Sequence, residues 1–301
     1  MELRVLQYFL AVAREQSISA AAESLHISRP ALSTQLKAME EELGKQLLIR
    51  GTKGSRKVVL TEEGMILRKR AEEILSLVKR TEDEITRSDE TIVGDVYIGT
   101  GETDIVRLFA RAAKKIQKQY PDIHYHISSG NAEYVLEYLD KGLIDFGLLY
   151  SQVDPSKYES VPIPSRDTWG VLMRKDSPLA GRESVSPEDL WEQPLIISHQ
   201  RGDDQYLSRW LKRDTSQLNV VATYNLVFNA SLLVDEGLGY ALCYDKLINT
   251  RGCSLCFRPF SPPLEASGSI VWKKYQVFSK AAEAFLECLL RMLEEESKKS
   301  N

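Results

Sequence analysis

At 301 residues, with 43% hydrophobic and 27% charged side chains, the chain has room for two or three domains with separate cores and the make-up of an ordinary globular protein. A net charge of −4 excludes a uniformly basic nucleic-acid coat, and no run reaches the ~18 apolar residues of a membrane-spanning helix. Four cysteines (Cys243, Cys253, Cys256, Cys288) are too few for a disulfide-dense secreted scaffold.

The start, MELRVLQYFLAVAREQ, holds an Ala11-Val12-Ala13 that mimics a signal cleavage site, but Glu2 offsets Arg4, and Gln7 and Tyr8 interrupt the apolar run. Leu6, Phe9, Leu10 and Ala13 instead share a helix face over about residues 3–14, so a mature cytoplasmic N-terminus is expected. A second helix, SISAAAESLH, has Ser17 or Ser19 as its cap and an alanine-rich body that permits close packing. A third runs through ISRPALSTQLKAMEEELG. Ser28 caps it, Pro30 sits in its first turn, and Gly44 stops it. Leu32, Leu36, Met39 and Leu43 form its apolar stripe. LLIRGTKGSRKVVLT then predicts two strands around a basic turn, completing a winged helix-turn-helix over residues 1–60.

The third helix opposes its own dipole, with Arg29 and Lys37 towards its start and Glu40, Glu41 and Glu42 at its end. An external anion accounts for that order. In a helix-turn-helix the N-terminal turns of the recognition helix enter the major groove. Arg29, Ser33, Thr34 and Lys37 lie off the apolar stripe, where they can meet bases and phosphates, and the glutamates lie beyond reach of DNA. Charge distribution agrees. Residues 1–60 hold nine Lys and Arg against six Asp and Glu, whereas both 61–90 and the remainder are net acidic.

Thr61 caps a long helix over 61–90, with Glu62 and Glu63 placed well in its first turn. Leu67, Ala71, Ile74, Val78, Thr81 and Ile85 follow heptad spacing, and at 1.5 Å per residue the helix is roughly 40 Å long. A dimer seam is expected, the alternative being a core helix packed within one chain.

From residue 91 strands and helices alternate: strand 96–98, helix 103–120, strand 124–128, helix 131–142 and the strand DFGLLY. TWGVLMRKDSPL begins a further set, which PLIISHQ, LNVVATYN and YALCY extend, and a strand and helix close the chain from SIVW onward. Such alternation predicts parallel sheets with ligands at strand ends.

Together these residues resemble the LysR-type transcriptional regulators along essentially the whole chain. The resemblance rests on FLAVAREQSISAAAESLHISRPALSTQLKAMEEELGKQLLIR, LTEEG, GDVYIGTGET, DKGLIDFGLL and DEGLGYALC. It implies a multidomain α plus α/β protein: a winged helix-turn-helix, a linker helix that pairs two chains, and a two-lobed α/β effector domain like that of periplasmic binding proteins. Lobe one would comprise residues 91–162 and 267–301 and lobe two 163–266, with crossovers near Pro162–Arg166 and Pro263–Ser267. The implied partners are double-stranded DNA, a small-molecule effector of unknown identity, and further copies of the chain as a homodimer and homotetramer, with no membrane. Ser28, Pro30, Ser33 and Lys37 stand where family members contact DNA, while Arg29 and Thr34 replace a common Gln and Arg. Arg29 suits a guanine edge, which it can contact bidentately. Arg50, Lys53, Arg56 and Lys57 in the wing are expected to contact phosphate.

In the effector domain, Thr100, Gly101 and Thr103 would open a helix whose free N–H groups suit an anion. Ser198, His199 and Gln200 would face them across a cleft, with Gly130, Asn131, Phe228 and Asn229 as further lining. Glu102 conflicts with an anion there: either it turns outward, or the effector carries a positive or neutral group.

Other motifs are incomplete. GTGE lacks the third glycine of a dinucleotide fingerprint, because Asp104 stands in its place. Cys253 and Cys256 form a CxxC without a second ligand pair, leaving a thiol redox sensor as an alternative to two structural cysteines. His124 and His126 share a strand face, for which a partly solvated edge is preferred to a metal site. With no HExxH, Walker loop or GxSxG, neither catalysis nor a cofactor is expected. A solute-binding protein or enzyme with a helical appendage is the other competing class.

Overall fold

The computed structural model describes residues 1–51, 57–86, 92–198 and 203–300. The chain divides into two compact units, residues 1–87 and 88–301.

In the first unit, α1 (Leu3–Glu15), α2 (Ile18–Ser24) and α3 (Arg29–Leu43) precede a two-stranded ribbon of β1 (Leu48–Arg50) and β2 (Val58–Leu60), and α4 (Glu62–Thr86) follows. The local signals work as their chemistry dictates. Ser17 accepts from the Ala20 N–H and Ser28 from the Ala31 N–H, Pro30 occupies the first turn of α3, and Gly44 ends that helix in the left-handed region. Leu6, Phe9, Val12, Ala21, Leu32 and Leu36 are fully buried, and Met39 and Ala71 join them in a core that α4 helps to close. Thr61 Oγ1 accepts from the Gly64 N–H at 3.0 Å. A Cβ on Gly64 would lie 2.2 Å from the Leu47 carbonyl oxygen, so the close approach of α4 to the chain before β1 requires glycine there.

The glutamates of α3 do more than stay clear of DNA. Glu40, its side chain only 11% exposed, accepts from the N–H groups of Leu47 (2.8 Å) and Leu48 (3.0 Å) and pairs with Arg50 at 2.8 Å. One carboxylate therefore fixes the entry to β1 against the end of α3.

The heptad seam on α4 is divided. Ala71 is buried and Leu67 and Ile74 pack partly into the unit's own core, whereas Thr81 and Ile85 are exposed, Ile85 to 78%. Along the seam, the exposed residues lie in the distal part of α4, beside exposed Leu77.

The second unit is built on a mixed sheet. In chain order come β3 (Gly94–Thr100), α5 (Val106–Gln117), β4 (Ile123–Ser129), α6 (Ala132–Asp140), β5 (Phe146–Leu149), β6 (Tyr158–Arg174), α7 (Pro187–Leu190), β7 (Leu195–Ser198) and α8 (Asp203–Leu211). Then follow β8 (Val220–Tyr224), α9 (Val227–Asp235), β9 (Tyr240–Tyr244), β10 (Leu255–Pro259), β11 (Glu265–Lys273) and α10 (Lys280–Ser300). Strand order is β4-β3-β5-β11-β6-β9-β7-β8, with β10 on β6. Pairings β3–β4, β3–β5, β7–β8 and β7–β9 are parallel, and those of β6, β10 and β11 are antiparallel.

Apolar clusters cover both faces of each half of this sheet. Phe109, Phe146 and Phe285 centre one and Val135, Leu139 and Ile144 another around β3, β4 and β5. Leu190, Leu207 and Phe260, and Ile196, Ala230 and Ala241, do the same around β7, β8 and β9. These are two α/β lobes.

Where TWGVLM was expected to begin a new strand, β6 instead runs unbroken for 17 residues through both lobes. Its two prolines do not break it. The ladder to β11 lapses between Pro162↔Ser269 and Arg166↔Ser267, so Pro164 falls where no strand partner needs an N–H.

Replacing Glu40 with Ala leaves two N–H groups and a guanidinium without their acceptor, at a cost of about 1–3 kcal/mol to the first unit. In the full chain, amide hydrogen exchange at Leu47 and Leu48 is expected to quicken by about tenfold or more. Exposed Glu41→Ala is expected to leave it unchanged.

Candidate functional site

Two places gather the residues that the sequence singles out. The first runs from the start of α3 to just past its middle. Ser28, Arg29, Pro30, Thr34 and Lys37 are exposed there and Ser33 is half-buried, while Leu32, Leu36 and Met39 face the core. α3 has no acidic residue in its first turn, and neither Arg29 nor Lys37 has an ion-pair partner among the described residues. Positive charge and hydroxyls thus stand open at the positive end of a helix, an arrangement that attracts phosphate and base acceptors. The wing is less uniform. Lys57 is exposed, but Arg50 is held by Glu40 and so serves the fold in place of the expected phosphate contact. Lys53 and Arg56 lie outside the described residues.

The second place is a cavity of about 660 Å³ between the two lobes of the second unit. Gly101, Glu102, Gly130, Asn131 and Ser198 line it as the sequence suggests. Thr100, Thr103, Phe228 and Asn229 part company with expectation. Thr100 and Thr103 are buried outside the lining, because the helix expected from residue 103 begins only at Val106 after a turn. Thr103 Oγ1 is used inside that turn, accepting from the Ile105 N–H and donating to Asp167 Oδ2 at 2.5 Å. No helix N-terminus therefore opens at Thr100–Thr103. Phe228 and Asn229 face solvent on α9, Phe228 at 62% exposure, and Tyr224, Asn225 and Val227 line the cavity instead. His199 and Gln200 lie outside the described residues.

What the sequence missed is the aromatic wall. Tyr150 follows the C-terminal end of β5, Tyr244 ends β9, and Trp169 lies on β6; all three line the cavity. Tyr244 stacks on Tyr150 at 5.5 Å and lies 4.4 Å from Trp169 between ring centroids. The rule that ligands meet α/β sheets at strand C-termini could have found Tyr150 and Tyr244.

Electrostatics single out two carboxylates. Glu102 Oε2 accepts from the Val227 N–H at 2.5 Å, so a residue of one lobe caps a helix of the other. Burial raises its pKa above the ordinary carboxylate range, against the lowering effect of that N–H. Asp167, on the crossing strand, accepts from Thr103 and from the Tyr150 hydroxyl. Burial raises its pKa too, and burial with the Asp167 charge raises that of Tyr150, keeping the phenol a donor.

The thiols differ in their surroundings. Cys243 lines the cavity, but burial, then Asp245 and Glu102, push its thiol up to about 12. Cys253 is exposed, while Cys256 is buried with its thiol raised by desolvation. His126 stacks on Tyr97 at 4.6 Å and bonds Asp95 at 2.9 Å. Among the described residues no three His, Cys, Asp or Glu side chains are grouped to hold a metal ion, and no helix is long and apolar enough to cross a membrane.

Comparison with known proteins now decides the family. Residues 3–65 match the model of the bacterial regulatory helix-turn-helix protein, lysR family, and residues 90–294 that of the LysR substrate binding domain. The chain belongs to the LysR family of transcriptional regulators. It is 31% identical over 305 residues to the uncharacterized HTH-type transcriptional regulator YnfL of Escherichia coli (strain K12), covering 97% of this chain and 99% of the relative. It is 28% identical over 282 residues to the hydrogen peroxide-inducible genes activator of Pectobacterium carotovorum subsp. carotovorum, covering 87% and 92%. In fold it matches CbnR, a LysR family transcriptional regulator, with TM-score 0.78 at 20% identity, and CbnR complexed with its target DNA with TM-score 0.76 at 21% identity. Each match covers 97% of this chain and 99% of CbnR. LysR-type regulators are DNA-binding transcription factors, and the exposed start of α3 lies in the helix-turn-helix that defines them.

The Asp167 carboxyl has a checkable pH signature. A carboxyl whose pKa is raised in the folded chain contributes stability that is full below its unfolded value, about 3.9, and is lost as pH rises through the folded value. The stability of the native chain relative to Asp167→Asn is therefore expected to fall between acid and neutral pH, as read by urea unfolding followed through tryptophan fluorescence.

Proposed function

We propose that this LysR-type regulator reads operator DNA with the first turns of α3 and answers to a small molecule held between its two α/β lobes. The observation that carries the DNA contact is the exposed set of Arg29, Thr34 and Lys37 beside half-buried Ser33, with both cations unpaired among the described residues. Ser28 and Pro30 set the start of that helix, so their part in recognition is to fix its entry angle. Lys57, with Lys53 and Arg56, adds phosphate contacts, while Arg50 acts through the fold. That the structural relative CbnR has been seen with its target DNA supports the same assignment.

The domain limits follow from this reading: 1–60 for the DNA-binding head, 61–90 for the linker, 91–162 with 267–301 for lobe one and 163–266 for lobe two. The exposed distal half of α4, including Ile85, suits pairing of two chains, and a tetramer arises as a dimer of such dimers. Within the cavity the effector meets Gly101, Glu102, Gly130, Asn131 and Ser198. The regulator acts in the cytoplasm and by binding, without catalysis. Although the chain resembles hydrogen peroxide-inducible genes activators, a thiol switch at Cys253 and Cys256 is the weaker reading, because Cys256 is buried and desolvation raises its thiol, which disfavours the reactive thiolate.

The test is binding to the DNA upstream of the protein's own coding region across a salt series. The triple variant Arg29→Ala, Ser33→Ala, Lys37→Ala is expected to lose the footprint, with at least about 1–3 kcal/mol of affinity lost at the base contact alone. Lys57→Ala should weaken specific and unspecific DNA alike and reduce the salt slope by about 1. Equal binding by the native chain and the triple variant would remove α3 from the interface.

A further inference from the structure

The cavity has an electrostatic sign. Glu102, Glu133 and Glu265 line it, and among its described lining residues there is no Lys, Arg or His. The three acids are not equivalent. Glu265 is neutralised by Arg166 at 2.9 Å, whereas no cation pairs with Glu102 among the described residues. Glu102 is half-buried, and its recorded partner is a backbone N–H, that of Val227. A carboxylate withdrawn from water without a counter-charge favours any cation that reaches it.

An anion finds the opposite. The N-terminus of α9 is where a carboxylate or phosphate ligand would gain from free N–H groups and the helix dipole. Here the chain's own carboxylate already holds that place, 2.5 Å from the Val227 nitrogen. An anionic ligand would have to displace Glu102 and then sit beside it. A cation instead finds two carboxylates with no cationic partner among the described residues, half-buried Glu102 and exposed Glu133, and a wall made by the aromatic side chains of Tyr150, Trp169 and Tyr244. The remaining polar lining, such as Asn131 and Ser198, can accept hydrogen bonds from an ammonium.

Taking the inter-lobe cavity as the effector site, we propose that its ligand is an organic cation: an ammonium group paired with Glu102, on an apolar body lying against Tyr150, Trp169 and Tyr244. A cavity of about 660 Å³ accommodates a small molecule rather than a bare ion. The preference for positive charge resides in Glu102 and the fit of the body in the aromatic wall.

The test uses the full chain and probes matched in size: phenethylammonium, phenethyl alcohol and phenylacetate, with benzyltrimethylammonium as a cation lacking N–H donors. Calorimetry is expected to show both cations binding at least about tenfold tighter than phenylacetate. Glu102→Gln should erase that preference while leaving phenethyl alcohol within about threefold of its native affinity. Gly101→Leu serves as a plug. Gly101 lines the cavity, and a Cβ there would meet only the Gly130 carbonyl oxygen, at 3.9 Å, so the backbone has room for a side chain. It should abolish binding of every probe, and unaltered thermal unfolding would show that the variant is folded.

If phenylacetate binds as tightly as the cations and the plug abolishes it, the cavity remains the effector site and the cation assignment is overturned. If the probes bind and the plug has no effect, their site lies elsewhere and both assignments fall. No binding by any of the four probes would likewise overturn the proposal.

Discussion

The antiparallel ladder between β6 and β11 ties the two lobes into a single sheet, and the geometry of the cavity depends on it. From Tyr158 to Pro162 β6 pairs with β11, and beyond Trp169 it pairs with β9 and β10 in the other lobe. Between these stretches, at residues 163–165, the ladder to β11 lapses. Asp167 stands just past the gap and gathers Thr103 and Tyr150 from lobe one onto the crossing strand. This one buried carboxylate thus ties two segments of lobe one, the turn before α5 and the end of β5, to the strand that crosses between the lobes.

The first unit shows the same economy of means. Glu40 anchors the chain entering the wing by two N–H groups and a guanidinium, and Gly64 lets α4 press against the Leu47 carbonyl. Both sit on the core side of α3, away from Arg29 and Lys37. Opposing the dipole of α3 thus has two causes at its two ends. At the start, cations are exposed without an ion-pair partner among the described residues, as the proposed DNA contact requires; at the end, one glutamate is consumed by the fold.

How much of this was legible in the sequence follows from the range of each signal. Caps, turns and apolar stripes are local, and α1, α2, α3 and the wing strands could be read from Ser17, Ser28, Pro30, Gly44 and the leucine spacing. Partners across the chain were not. Glu40 was legible as a charge at the wrong end of a helix, but nothing local marks Leu47 and Leu48 as its donors. The heptad on α4 showed a continuous seam because spacing reveals which residues share a face and not how far along the helix a neighbouring core extends. In the second unit, strand ends located the cavity and so recovered Gly101, Glu102, Gly130, Asn131 and Ser198. Phe228 and Asn229 failed because the lining face of α9 depends on its phase, and that phase presents Val227. The aromatic wall depends on which face of β5, β6 and β9 turns inward, which is fixed by register in a fully assembled sheet.

Glu102 joins these levels. Its bond to the Val227 N–H spans the cleft, so it is intact in this lobe arrangement and lost if α9 swings away from Glu102. A ligand can shift a conformational equilibrium only by binding its states unequally. A group that merely fills apolar volume within one lobe has little leverage of that kind. A charge placed on Glu102 has more, because the energy of its ion pair changes with the solvation and partner of that carboxylate, and both change with lobe angle. At an effective dielectric constant near 20, an ion pair at about 4 Å is worth about 4 kcal/mol, against about 0.5–2 kcal/mol for a cation over one aromatic ring. Moving an equilibrium from one extreme to the other takes about 5.5 kcal/mol of differential affinity. A contact through Glu102 contributes to such a difference to the extent that the pair is stronger in one lobe arrangement than in the other. The residue that sets which charge the cleft accepts is therefore also the one through which acceptance can be felt by the rest of the effector domain.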